Sequence, residues 1–323
     1  MGEDEDRGLE NPLTLDNFQV EGPRVDPEAV GKFRSEDDFT ALAVELFKEI
    51  AARTAVLACT HRLDDNNMPR KWNRNEAILG GLMIRLAKLQ AGLLDAICQD
   101  RFEISEILAR CLAETVLNIR FLLVAKSDAI YDQYIEYSLR EEKRLLQLIN
   151  ENVGARGHEL PIEFRMTRSI MRSFQIAGLA PEDVDEKRRN PWGGNLFKKA
   201  KHLGLDRAYL GLIGQPSHAV HGNWQDLITC HLTVSGDGFL PQPLWKPARP
   251  HLALGATVLS CNTCVWYLEA VLPECEDREK MSQQLEDCHA RVSRLRELHE
   301  AFIQASGRTG VCRPAPDSSL RSE

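Results

Sequence analysis

The chain has 323 residues, of which 43% are hydrophobic, 27% charged and 7% aromatic. That length and apolar content exclude a wholly disordered protein and leave ample chain for a core. No basic stretch followed by an apolar run opens the sequence, and no run of 18 or more apolar residues occurs. Neither a secretory leader nor a membrane-spanning helix is therefore expected.

The formal net charge is −8. Residues 1–38 hold twelve acids and four bases, which accounts for the whole imbalance. The body is neutral, which argues against a general polyanion binder. The acidic head, 1–35, carries prolines at 12, 23 and 27 and reads as a disordered, solvated tail. Nine cysteines are scattered along the chain, several within apolar periodic segments. That is the usage of a reducing cytoplasm, where Cys acts as a small core residue.

In chain order, Asp37 and Asp38 offer a helix start, and Phe39, Leu42, Leu46, Phe47 and Ile50 predict a helix over about 38–60. Asp64–Arg70 reads as a loop. Helices are predicted over 75–98, 103–126 and 128–152 from apolar residues at helical spacing. Their short connections predict antiparallel neighbours. Residues 153–206 are broken into short helices and loops by prolines 161, 181 and 191 and glycines 178, 193 and 194. A helix near 206–215 is interrupted at Pro216. Residues 229–250 are the least helical stretch, a hairpin around Gly236-Asp237-Gly238 or only a loop. Helices return over 251–272 and 277–304, and a polar tail follows from Gly307. The fold class read from this pattern is all-α: an antiparallel helical bundle with long helices and an irregular Pro/Gly-rich insertion. One domain spans 36–305, and 306–323 is expected to be a disordered tail.

Two constellations interrupt the apolar pattern. On the helix 103–126, Arg110 and Glu114 stand at i, i+4, with Glu106 one turn before and Asn118 one turn after. They form either a solvated or structural ion pair or a polar pocket inside the bundle. The second constellation is Gln215–Asp226, QPSHAVHGNWQD. If helical, it puts Ser217 and His221 at i, i+4 and His218 and His221 at i, i+3, with Trp224 following. Histidine there can serve as acid, base or hydrogen-bond donor near neutral pH, or can simply bridge helices. His218, His221 and Asp226 are also metal-ligand types, but His-x-x-His alone is a weak pattern.

Other features carry less. Cys261-x-x-Cys264 lies in an uninterrupted helical apolar pattern and reads as core. Arg165, Arg168 and Arg172 form a basic stripe in a segment, 156–207, with eleven bases and seven acids. It suggests phosphate contact or a solvated arm. Arg294-x4-His299 matches the pattern of helical RNases of the HEPN group at the frequency chance provides. Glycine-rich phosphate loops and the Gly-x-Ser-x-Gly hydrolase signature are absent.

ILARCLAETVLNIRFLL resembles the Arg-x-x-x-Glu helix of a bacterial family, domain of unknown function 5677. NPWGGNLFKKAKHLGLDRAYLGLIGQPSHAVHGNWQD resembles its second block, a helix ending in Ser-x-x-x-His-Gly. The resemblance covers roughly 75–225 and matches Arg110, Glu114, Ser217, His221 and Gly222. Pro216 stands where the family commonly has a small or aromatic residue. The resemblance implies an α-helical fold, with a distant relation to HEPN-like bundles, and no defined reaction.

From residues and resemblance together, the expectation is a cytoplasmic bacterial protein with a polar interhelical pocket. Arg110, Ser217, His218 and Trp224 would bind an anionic small molecule or RNA. Glu114 would hold His221 in one tautomer for proton transfer, as the catalytic pair. The rival is a non-catalytic interaction protein in which these residues are structural and helices 251–272 and 277–304 form a homodimer or partner surface. A third reading is a metal-dependent hydrolase using His218, His221 and Asp226. No resident metal or other cofactor and no membrane partner is expected.

Overall fold

The computed structural model describes residues 20–60, 70–186, 191–272 and 274–307. Helices are α1 (Pro27–Val30), α2 (Glu36–Ala58), α3 (Arg74–Cys98), α4 (Phe102–Ala125), α5 (Asp128–Arg156), α6 (Pro161–Ala177), α7 (Leu196–His202), α8 (Ser217–His221), α9 (Trp224–Asp226), α10 (Pro250–Val271) and α11 (Glu276–Ala305). Short π-helical turns, Leu210–Gly214 and Leu227–His231, flank α8 and α9. The only strands among the described residues are β1 (Leu232–Ser235) and β2 (Gly238–Pro241), an antiparallel hairpin. The all-α expectation holds, and the 229–250 stretch resolves to the hairpin reading.

Local chemistry sets the helix ends. Ser35 and Asp38 cap α2 reciprocally, and Asn73 with Glu76 does the same for α3. Gly157 and Gly178, both in the left-handed region, stop α5 and α6. α10 is the central helix, packed by α2, α4 and α11. Its sequence is apolar on all sides, and 13 of its 22 residues are buried. Most of the surface expected at 251–272 to meet a partner is therefore packed within the chain's own core, and only a stripe through His251, Val258, Asn262 and Glu269 is left partly exposed. α3 alone among the described residues is long and apolar enough to cross a membrane by length and composition. Here it packs between α2 and α4.

Polar groups stitch the core where they are buried. Arg120 of α4 donates from Nε to Thr263 Oγ1 at 2.9 Å and from Nη2 to the Leu259 carbonyl at 2.9 Å. Its guanidinium lies over the Trp266 ring, 5.3 Å from the centroid. With no ion pair to a carboxylate among the described residues, burial lowers its pKa to about 10. Glu49 is buried between Arg53 of its own helix, at 3.1 Å, and Arg291 of α11, at 2.8 Å.

This triad corrects the expectation of a disordered segment up to residue 35. Arg53 donates to the Val20 carbonyl and Arg291 to the Pro23 carbonyl, so the described part of that segment is tied to the body. A Cβ on Gly22 would lie 1.7 Å from Glu49 Oε2, so only glycine lets the chain pass this close. Val30 is buried, and Phe33 stacks edge-on against Phe39 at 5.0 Å. Residues 1–19, 308–323 and most of the Asp64–Arg70 loop lie outside the described residues.

The expectation that α5 is a plain neighbour of α3 and α4 needs amendment. Its first turns touch both helices, but its principal partner is α6. The α5–α6 pair has its own small apolar cluster of Leu139, Leu146, Ile149, Ile170, Phe174 and Val184, separate from the main core. It forms an arm, and Arg165, Arg168 and Arg172 are exposed along it.

Candidate functional site

α4 carries Glu106, Arg110, Glu114 and Asn118 down one side, because residues four apart share a helix face. α7, the π-turn at Leu210–Gly214 and α8 pack on α4. The polar stripe therefore becomes a seam between two segments about a hundred residues apart in sequence.

At mid-seam, Arg110 Nη1 donates to Glu114 Oε2 at 2.7 Å and Nε donates to Ser217 Oγ at 3.1 Å. Ser217 in turn donates to the Ile213 carbonyl. Ser217 can do this because Pro216 occupies the N-cap of α8, where its missing N–H costs nothing. The proline thus starts the Ser217–His221 helix. The structure brings Arg110, Glu114 and Ser217 together.

It does not bring Glu114 to His221. The carboxylate is taken by Arg110, while His221 is exposed and makes no hydrogen bond or ion pair with any described residue. The proposed tautomer-setting contact is corrected accordingly: α8 points His221 away from the seam. Trp224 also lies outside it, 58% exposed, with its ring edge-on to Phe239 at 5.4 Å.

One residue of the seam was not singled out in the sequence. Lys199, within the basic 156–207 segment read as phosphate contact or a solvated arm, is only 3% exposed. Its ammonium sits 3.1 Å from the Trp192 ring centroid and donates to Asn118 Oδ1 at 3.0 Å. Burial pushes its pKa down to about 7, against the raising influence of Glu114. The NPWGG turn makes this geometry. Gly193 has φ +62°, and a Cβ there would lie 2.3 Å from the Phe121 ring. Asn195 caps α7, which directs Lys199 and Ala200 inward. The signal available in the sequence was the Leu196, Ala200, Leu203 spacing, which places Lys199 beside the buried side.

At the N-terminal end of α4 the seam opens into a pocket of about 420 Å³. Glu106 of α4, His218, Gln225 and Asp226 of the α8–α9 turn, and Arg249 and His251 at the start of α10 line it. Glu106 and Asp226 are 6% and 7% exposed. Glu106 Oε1 is 3.8 Å from His251 Nε2, and Asp226 Oδ2 is 3.3 Å from His231 Nε2. Asn223 caps α9 with its Oδ1 and meets His218 Nδ1 with its Nδ2 at 2.5 Å.

Behind the wall, buried Cys230 lies near Glu103, whose Oε2 is buried without a hydrogen-bond partner. Burial, together with Glu103 and Asp226, pushes that thiol up to about 12, so it stays protonated. His218 is the one expected ligand residue that lines this pocket. Asp226, weighed only as a metal ligand, lines it too, while Glu106 and His251 join it through the fold. His218 and Asp226 share the pocket without His221, and no set of three His, Cys, Asp or Glu side chains among the described residues could hold a metal ion. The three-ligand hydrolase reading is not supported by this geometry.

Cys261 and Cys264 are buried on α10 as free thiols, as a core reading requires. The chance Arg294-x4-His299 match is divided: Arg294 pairs with Glu297 at the surface, and His299 packs on Phe39.

No curated protein and no solved structure matches this chain. A family model, DUF5677, matches residues 76–239, about half of the chain, spanning α3 to β2 and so both sides of the seam. By that match, which encloses the Arg110–Glu114–Ser217 seam, the chain belongs to DUF5677, a family of unknown function.

Proposed function

We propose that the pocket between α4, the α8–α9 turn and the start of α10 binds a small polar ligand rich in hydrogen-bond donors or carrying positive charge. One observation carries this reading: two carboxylates, Glu106 and Asp226, are more than nine-tenths buried at an open pocket, and the ion-pair partners of both are imidazoles. Buried carboxylates are costly without strong donors. An amine, amidine or guanidine would supply them, with several N–H donors and a positive charge. His218, held by Asn223, is positioned to exchange a proton with such a ligand. An anion at Arg110 is a weaker proposal, because that guanidinium already has a counter-ion in Glu114.

Thermal-shift and calorimetric titration with spermidine, arginine amide, adenosine, pyrophosphate and a short RNA tests the proposal. The cationic probes should stabilise the wild type by several degrees when well above their Kd. Glu106→Gln and Asp226→Asn should abolish the shift. Binding of pyrophosphate or RNA that depends on Arg110 would replace this reading, and a shift retained in both variants would sink it.

A structural role is the second reading for the seam itself, since Arg110, Glu114 and Ser217 already satisfy one another across α4 and α8. Residence in a reducing bacterial cytoplasm and kinship with HEPN-like bundles belong to the same proposal. The eight described cysteines, all free thiols, support the first.

A further inference from the structure

All four bases of α5 are ion-paired: Arg140 and Arg144 with Glu141, Lys143 with Glu186, and Arg156 with Glu163. Those of α6 are not. Arg165, Arg168 and Arg172 are exposed and make no hydrogen bond or ion pair with any described residue. α6 buries Glu163, its one acid, with Ile170 and Phe174, so its outer side is basic without compensation.

Apolar side chains border the stripe. Phe164 stands one turn before Arg168, Met171 one turn after it, and Ile176 one turn after Arg172, and all three are exposed. Met171 also borders a pocket of about 410 Å³ lined with Leu146, Phe174 and Leu179. This surface fits a partner that is acidic along one line and apolar beside it. A phosphate backbone has the charge without the apolar groups.

One stretch of this chain has that chemistry. Residues 1–19 precede Val20, whose carbonyl Arg53 holds, and they contain six acids and one base. Four of the acids are consecutive, Glu3–Asp6, and Leu9, Leu13 and Leu15 follow. The other stretches outside the described residues have no run of more than two acids. Lengths agree as well. The arginine stripe is about 10 Å long, at about 1.5 Å per helical residue. Four extended residues cover about the same length. The whole head, extended, spans about 60 Å, and a globule of this size is about 50 Å across, so from Val20 the head can reach the arm.

We propose that the acidic head of this chain, through Glu3–Asp6, binds the arginine face of α6 in the same molecule, with its leucines against Met171 and the pocket beside it. The covalent tether sets an effective concentration on the order of millimolar, so contacts too weak to hold a separate peptide can hold the head. The charges are distributed to match: 1–38 carries the whole net −8, and 156–207 has eleven bases against seven acids.

Photo-crosslinking in the full chain tests this. With p-benzoylphenylalanine in place of Leu9 or Leu13, peptides of α6 should be captured within one chain, as located by mass spectrometry. Raising salt to about 0.5 M should cut the yield about fivefold, because exposed charge pairs are screened. Arg165→Gln with Arg168→Gln and Arg172→Gln should cut it as far, with helicity unchanged. The exchanged set, Arg165→Glu, Arg168→Glu and Arg172→Glu with Glu3→Lys, Asp4→Lys and Glu5→Lys, should restore it, which a purely structural role for the arginines would not. No capture on α6, capture only between two chains, a yield indifferent to the arginines, or an exchange that restores nothing would overturn the proposal. So would a short RNA that binds through the three arginines equally well when Glu3→Gln, Asp4→Asn, Glu5→Gln and Asp6→Asn neutralise the head.

Discussion

Lys199→Met tests the physics of the seam directly. Methionine keeps an unbranched apolar stem in the space between Trp192 and Phe121 and removes only the ammonium. Burial holds the Lys199 pKa at about 7 in the folded protein, against 10.5 for the free side chain. At about 1.36 kcal/mol per pKa unit, the charged form costs the fold about 4–5 kcal/mol. The Trp192 face and the Asn118 carbonyl work against that cost, and a desolvated cation–π contact is worth about 2 kcal/mol. Those contacts are already contained in the folded pKa, so the swing between low and high pH is about 4–5 kcal/mol.

The sign follows from proton linkage. Between pH 7 and 10.5 the unfolded chain holds the Lys199 proton and the folded chain does not, so wild-type stability from this group rises with pH in that window. Below pH 7 both states are protonated, and the full cost is present. The buried thiols of Cys230 and Cys264 and the Tyr267 phenol, all raised to about 12 by burial first, act oppositely above pH 9. They are common to wild type and variant and cancel in the difference. Urea unfolding followed by circular dichroism at several pH values from about 6 to 10 gives that difference. Lys199→Met should be the more stable protein at pH 6–7, and its advantage should shrink as pH rises. An advantage that is constant or grows with pH refutes a buried, depressed Lys199.

Glu49→Gln should destabilise the protein by about 3–5 kcal/mol in urea unfolding, because it strips the shared carboxylate from Arg53 and Arg291 and leaves buried charge unpaired. A loss below about 1 kcal/mol would show the triad to be incidental. His299 packs on Phe39 with a ring nitrogen that has no hydrogen-bond partner, and burial lowers its pKa. Its unfolded form takes up a proton first, so stability from this group is lost as pH falls through 6.5 and below. His299→Phe should therefore lose less Tm than the wild type between about pH 7 and 5, and an equal loss would clear His299 of the effect.

Helix positions were largely legible from short-range pattern. The expected 103–126 and 251–272 differ by one residue at each end from Phe102–Ala125 and Pro250–Val271. Periodicity and caps act within a few residues, so a single chain displays them. The Arg110–Glu114 pair was legible for the same reason, being one helical turn apart. Other features were not. Lys199 looked solvated because its neighbours Lys198 and Lys201 are charged, and only the turn at Gly193 and the Asn195 cap turn it toward Trp192. His221 looked central because of its spacing from Ser217, but a five-residue helix leaves it facing out. Residues 20–35 looked disordered by composition, yet Arg53 and Arg291, drawn from two distant helices and joined by Glu49, donate to two of their carbonyls.

By itself, then, the sequence determined the helical class, the positions of the long helices and the polar stripe on α4, because each rests on forces between residues a few positions apart. The tertiary structure alone decided what that stripe meets. Arg110 reaches Ser217, Asn118 reaches Lys199, and Glu106 faces His251 across 81 to 145 positions of chain. Such pairings depend on how helices dock, and docking is set by the sum of many small packing terms that no local spacing encodes.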